Sequence, residues 1–314
     1  MVADERDALR ETVRTLLIRE GDTRSAMASS SGYDEKLWAR LGDLGVAGLH
    51  VPEEHGGAGA SFLETRIALA ELGRFLTPGP LLGSVLASAA LLSTGAGPLL
   101  PEIAAGSLVP SLAWGPYALN AQVADVFLVP GEDGLYAVPP AEVSVTPCGA
   151  LDPTRRLATV SATGAGEFLG VPDMARVRDV ACAALAAESA GAAARCLELT
   201  VSYAKQRRQF GRPIGSFQAL KHRMADMHVL VETAESASLA AAEAVVTGGD
   251  PTSAFVWCVE AFTQVAGEMI QLHGGIAITW EHDAHLYFKR AHGNAHLFGS
   301  VRDHVSRLGA QLGQ

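Results

Sequence analysis

The chain is short of the residues that would tie it to nucleic acid, to an oxidising compartment or to a bilayer. Among 314 residues, 24 Lys and Arg face 34 Asp and Glu, a net charge of −10 with a pI near 5.5. No basic surplus is available to neutralise a phosphate backbone, so neither nucleic acid nor an anionic membrane surface is an expected partner. Cysteine occurs only at Cys148, Cys182, Cys196 and Cys258, with no CxxC pair. That spacing argues against a disulfide framework or a zinc site and fits a reducing cytoplasm. The opening MVADERDALRETVRTLL has no apolar segment of the secretory type and reads as an amphipathic helix. One stretch, Arg74 to Glu102, carries no charge between its ends, but Pro78, Pro80, Gly95, Gly97 and Pro98 interrupt it. The helix left over 81–94 is too short for the ~20 residues of a bilayer span and is expected to be a buried core helix. Internal repeats and low-complexity linkers are missing as well.

What the chain does contain is apolar and small: 48% hydrophobic residues and 33 glycines, as in a compact globular protein. Residues 1–106 read as an N-terminal helical domain, from three- and four-residue apolar spacing in ALRETVRTLL, YDEKLWARLGDLGVAGL and FLETRIALAELGRFL. The connector VPEEHGGAGAS is rich in turn residues. Residues 107–172 change texture: SLVPSL, VADVFLVP, GLYAVPPAEVSV and RRLATVSA are short Val- and Leu-rich runs split by Gly, Pro and Asp, the pattern of a small β domain. Residues 173–314 return to helix, led by a long Ala-rich run from Arg176 to Phe210. Asp250-Pro251 reads as an N-cap followed by proline at the first helical position.

Two blocks carry chemistry: RRQFGRPIGSFQALKHRMADM from Arg207 and QLHGGIAITWEHDAHLYFKRA from Gln271. With W-x-x-L-G-D-L-G-V, the PEEHGG turn and the order helical, β, helical, the chain resembles the acyl-coenzyme A dehydrogenase family over nearly its whole length. The resemblance implies a mainly α fold with an abridged middle β domain and a C-terminal four-helix bundle. It also implies FAD as cofactor, an acyl-CoA substrate and an electron-transfer flavoprotein or similar acceptor. In relatives, the Arg and Phe of R-x-x-F-G, the Gln of G-x-F-Q and the Q-x-x-G-G segment hold the pyrophosphate and adenosine of an FAD bound mainly by the neighbouring subunit. Here these are Arg207, Phe210, Gln218 and Gln271, Leu272, His273, Gly274, Gly275. A guanidinium can fork onto phosphate oxygens, Phe can pack on an aromatic ring, and paired glycines let backbone approach a nucleotide. Without the resemblance, the same residues read as solvated arginines and a turn.

The departures from the family pattern matter more. Desaturation of a thioester needs a carboxylate to take the α-proton while the β-hydrogen leaves as hydride. Of the two positions that relatives use for this Glu, one is Phe298 here and the other falls on Ala181. The T-E-P loop and W-I-T strand that contact flavin and substrate in relatives are not found. The catalytic residue is therefore unassigned. Glu188 lies seven residues beyond Ala181, about 10.5 Å along a helix, too far to take the same proton. Glu281 is a weak candidate base. The expected role is a base-lacking shorter subunit paired with a longer homologue, as in the heteromeric α2β2 members of the family that degrade steroids. The alternatives are a homo-oligomer with Glu281 as relocated base, and a flavin-free scaffold or acyl-CoA binding protein.

Two further groups have mundane readings beside functional ones. His282, His285, His292, His296 and His304 crowd together, and His292 with His296 has helical i, i+4 spacing, but no H-E-x-x-H accompanies them and no metal is expected. A helix face at a subunit contact is the simpler reading. Asp152-Pro153-Thr154-Arg155-Arg156 could fork onto a nucleotide phosphate, although a turn ending in solvated arginines is favoured.

Overall fold

The structure is a computed structural model that describes residues 3–312; positions 1, 2, 313 and 314, the outer edges of the two helical segments expected above, lie outside the described residues. In the first, helical layer three helices start on a side-chain cap. Helix α1 (Ala3–Glu20) leads to α2 (Thr23–Ala28), where Asp22 accepts from the amides of Arg24 and Ser25. Asp34 does the same for α3 (Glu35–Asp43), and Ser61 with Glu64 forms a capping box on α4 (Phe62–Arg74). The LWARLGDLGVAGL run does not stay helical to its end. Gly45 adopts φ 73° and stops α3, and a short 3-10 turn, Val46–Gly48, follows. Helix α5 (Leu81–Thr94) has the bounds its breakers predict and is buried through Leu91; α6 (Leu100–Ala104) closes the layer.

The middle segment forms two small sheets. Strands β1 (Pro110–Leu112), β3 (Val126–Pro130), β4 (Leu135–Val138) and β7 (Glu167–Gly170) run in the order β1-β3-β4-β7. Strands β2 (Ala118–Leu119), β5 (Val143–Pro147) and β6 (Leu157–Ala162) form the second, in the order β2-β6-β5. The long β5–β6 connection, residues 148–156, leaves the sheet and reaches back to the helices.

Helix α7 (Met174–Gln206) is the axis of the remainder and packs on α4, on α8 (Gln218–Thr247) and on α9 (Thr252–His273). Its alanines and glycines are what let it do so. A Cβ on Gly191 would come within 1.9 Å of the Ala70 carbonyl oxygen, and one on Gly73 of α4 within 2.3 Å of the Glu188 carbonyl oxygen, so the two backbones touch where no side chain fits. Among the described residues it is α7, and not the 75–101 stretch, that is long and apolar enough to cross a membrane by composition; 83% of that window is buried inside the fold. Between α7 and α8 a two-residue hairpin pairs β8 (Arg208–Gln209) with β9 (Arg212–Pro213). The N-cap of α9 is Pro251, and not Asp250 with proline at the first helical position; Asp250, one place earlier, accepts from the Thr252 amide at 2.8 Å. Helices α10 (Ala284–Asn294) and α11 (Val301–Leu312) complete the chain.

Candidate functional site

The two sequence blocks meet at the far end of α7. Arg207 is the cap residue of that helix, its amide donating to the Tyr203 carbonyl at 2.8 Å. One turn earlier, the Tyr203 hydroxyl donates to the His273 carbonyl at 3.2 Å, and the two rings stack at 4.3 Å. This contact fixes the end of α9 beside the last turns of α7.

Both loops are shaped to leave space. The β8–β9 turn is Phe210-Gly211, with φ of 51° and 78°. Positive φ at both central residues is the geometry that matches strand twist in a two-residue hairpin, and it is costly for a Phe. Phe210 is also 91% exposed, touching Phe217 only edge-on at 6.0 Å. Gly274 has φ 68° and ψ −147°, a conformation open to glycine alone, and a Cβ built on Gly274 or Gly275 meets nothing within 4 Å. Arg207, Gln218 and Gln271 are exposed, whereas Leu272 and His273 are buried behind them. None of the ion pairs among the described residues involves Arg207. An exposed guanidinium, an exposed aromatic ring held in a strained turn, two amides and an open glycine turn make a donor set suited to a pyrophosphate and an aromatic base.

The other end of α7 is closed. The Cys182 thiol lies 3.9 Å from Nδ1 of His304, whose Nε2 lies 3.2 Å from the Phe298 carbonyl oxygen. His304 thus bridges Cys182, the residue after Ala181, to Phe298; Ala181 and Phe298 are the two positions at which the family resemblance would put a Glu. Ala181 is fully buried, and the Phe298 ring stacks on Trp114 at 5.1 Å with 15° between planes. Trp114 follows β1, in the segment where the T-E-P loop is missing. Burial holds His304 below the usual histidine range and pushes the Cys182 thiol up to about 12, so both stay neutral. The carboxylates of Asp179 and Asp250 add to the rise of the Cys182 thiol, and Asp303 partly opposes the lowering of His304.

Glu281 is exposed, in the turn before α10, whereas Phe298 follows the end of that helix. Eleven residues at 1.5 Å separate the two ends by roughly 16 Å, too far for the same proton.

Neither reading of Asp152–Arg156 holds. Arg155 is neither solvated nor free for a phosphate: its side chain is 10% exposed, ion-paired with Glu188, and bonded to Asn294 at 2.7 Å. Beside it Arg290 pairs with Asp152 and donates to Thr154, and Asn294 donates to Ser189 at 3.0 Å. Burial pushes Asp152 up, but Arg290, Arg155 and the Thr154 hydroxyl outweigh it and hold the carboxyl below its usual range. Glu188 is thus committed to a structural pair. These four charges rivet the β5–β6 connection to α7 and α10. Arg290 and Asn294 carried no local sequence signal; the partners come from three distant segments.

The histidines do not form one group. Helix α10 ends at Asn294, so His292 and His296 do not share a helix face. His273, His282 and His285 gather near Tyr203 and Trp280, each held below the usual histidine range chiefly by burial. Among the described residues no three His, Cys, Asp or Glu side chains assemble as a metal site.

Comparison with known proteins places this geometry. Sequence models of the acyl-CoA dehydrogenase N-terminal domain and C-terminal domain match residues 3–97 and 174–312. The chain is 46% identical to the acyl-CoA dehydrogenase IpdE2 of Mycobacterium tuberculosis (strain ATCC 25618 / H37Rv), covering 98% of each. Among solved structures, it superposes with TM-score 0.91 and 26% identity on a chain of the ChsE4-ChsE5 complex from Mycobacterium tuberculosis, covering 100% of this chain and 98% of that one. A chain of the Tcur3481-Tcur3483 steroid ACAD, G363A variant, gives 0.90 and 26%, with coverage of 100% and 99%.

Proposed function

Because the chain belongs to the acyl-CoA dehydrogenase family, whose oxidoreductases use FAD, we propose that it is the base-lacking subunit of a two-chain enzyme of that family. It lends Arg207, Phe210, Gln218 and Gln271–Gly275 to an FAD whose ring rests on a longer homologous subunit, and that subunit supplies the Glu. The observation that carries the reading is the asymmetry along α7: an open, exposed donor set at one end and the Trp114–Phe298 stack at the other.

Bound FAD supplies the hydride acceptor. This chain's residues act on the cofactor's tail. Arg207 forks onto pyrophosphate oxygens, Phe210 offers a ring face to the adenine, and the Gly274–Gly275 turn lets the backbone come alongside without a Cβ in the way. The Trp114–Phe298 stack keeps water and substrate out of this chain's own centre. The substrate we assign is a bulky polycyclic, steroid-type acyl-CoA thioester, which the likeness to a steroid enzyme supports. Electrons pass on to an electron-transfer flavoprotein or similar acceptor. A cytoplasmic setting agrees with four free thiols.

The test is cofactor stoichiometry. Expressed alone, the chain should be colourless or poorly soluble; co-purified with its partner, it should be yellow, with one FAD per pair of unlike subunits and acyl-CoA-dependent bleaching. Two FAD per pair, or a yellow and active chain by itself, would overturn the reading.

A further inference from the structure

The β5–β6 connection and the end of α10 border an open cavity of about 370 Å³ that none of the chemistry above uses. Its walls are apolar: the Tyr117 ring, Ala150, Leu151, Leu157 and Leu297. Asp152 and Arg155 form the floor, but both are already spent, Arg155 on Glu188 and Asn294 and Asp152 on Arg290 and Thr154. An anion entering here finds no free guanidinium, and a cation finds no free carboxylate. The polar groups left over are the His292 and His296 imidazoles and the Cys148 thiol. A volume in the range of small-molecule sites, apolar walls and a few hydrogen-bonding groups describe a ligand pocket.

We propose that this cavity is a binding site for a neutral, ring-bearing apolar molecule, its bulk held between Tyr117 and the leucines and an oxygen hydrogen-bonded by His292 or His296. A charged floor that is internally neutralised selects against ionised ligands, because each would lose water without gaining a counter-charge. The site is separate from the FAD-tail residues, which lie before the start of α10, whereas the cavity borders its end.

Cys148 makes the proposal measurable. It alone among the cysteines is partly exposed, whereas Cys182, Cys196 and Cys258 are buried, with burial pushing Cys182 and Cys258 up to about 12. N-ethylmaleimide should therefore alkylate Cys148 selectively in the full chain, alone or in complex. With androstenedione, a rigid neutral diketone, as probe, we expect saturable protection of at least tenfold in alkylation rate. Cholate, a fused-ring carboxylate, should protect at least fivefold less at equal concentration. Leu151 is 60% exposed, so Leu151→Trp can fill the mouth without disturbing the core, and it should abolish protection. Equilibrium dialysis with labelled androstenedione gives the same answer without the thiol, at one site per chain. The proposal fails if dialysis finds no saturable binding, if Leu151→Trp leaves protection unchanged, if cholate protects as well as the diketone, or if riboflavin protects better. Arg207→Ala should leave this binding unaltered, so failure here and failure of the FAD half-site are told apart.

Discussion

The two ends of α7 carry the same family's residues to opposite fates. At the Arg207 end, Arg207, Phe210, Gln218 and Gln271 are exposed, and Phe210 and Gly274 hold positive φ. Towards the Ala181 end Ala181 is buried, half-buried Phe298 stacks on half-buried Trp114, and two turns further along the buried charges are paired. A side chain kept at the surface in a costly conformation does nothing for this chain's stability, so its use lies in something outside the chain. A half-buried stack and paired buried charges hold the fold together there, so losing one partner of a pair should destabilise it. The prediction from this contrast is a division of phenotypes: substitutions at the closed end should act on folding, and those at the open end on cofactor.

The largest effect is expected at Arg290. It and Asp152 are 3% and 4% exposed in their side chains, so removing the guanidinium strands a carboxylate in the interior. Arg290→Met, which keeps much of the volume, should lower unfolding stability by about 3–5 kcal/mol, the usual consequence of breaking a buried pair on one side. Urea denaturation of the purified complex measures it. A loss below 1 kcal/mol would mean that water reaches the network and that the closed end is less closed than the packing indicates.

Acid has the next largest expected effect. The His50 ring nitrogens are buried, and burial, only partly opposed by the Val85 backbone, takes the imidazole down to about 4. The unfolded chain takes up that proton near pH 6.5 and the folded chain does not, so stability is full above 6.5 and falls as pH drops towards 4. The loss approaches about 3 kcal/mol, from roughly 1.4 kcal/mol per unit of pKa difference. Asp152, held low in the folded state, adds a further loss in the same direction below the ordinary carboxylate range. His50→Phe preserves an aromatic ring against Phe62 and should flatten the pH 4–6.5 limb of a thermal-denaturation series. An unchanged slope would assign that limb to another group.

How far this contrast could be read from sequence follows its physics. The helical layers, the β runs and the α5 bounds are local: apolar spacing, proline breaks and Asp or Ser caps write them into neighbouring residues. Ala181 and Phe298, at the positions where the resemblance would put a Glu, come from local motif spacing as well. That Phe298 stacks on Trp114, and that Arg155 finds Glu188 while Arg290 finds Asp152, was not legible. Those partners are 33 and 138 positions apart and come together only through the tertiary fold. An arginine pair after D-P-T looks solvated because nothing nearby in sequence neutralises it. The end of α3 at Gly45 was missed for the opposite reason: the apolar spacing continues through a residue that had already left the helical conformation.

The smallest effect on stability, and the most informative on function, belongs to Arg207. The side chain is exposed and makes no ion pair among the described residues, so Arg207→Ala should leave the urea midpoint of the complex within the roughly ±0.5 kcal/mol range of a neutral surface change. Its effect should appear only with FAD. A charge-assisted hydrogen bond to phosphate is worth roughly 1.5–3 kcal/mol, so the alanine variant should bind FAD at least tenfold more weakly, as read by flavin fluorescence on dilution. Arg207→Lys keeps the charge and loses the planar fork, which places it between wild type and alanine. Refilled with excess FAD, both variants should recover much of their turnover, because a group holding the cofactor's tail moves no hydrogen. If instead Arg207→Ala destabilises the fold, the open end is structural after all. If it changes neither stability nor FAD affinity, the contrast between the two ends does not mark a shared cofactor site.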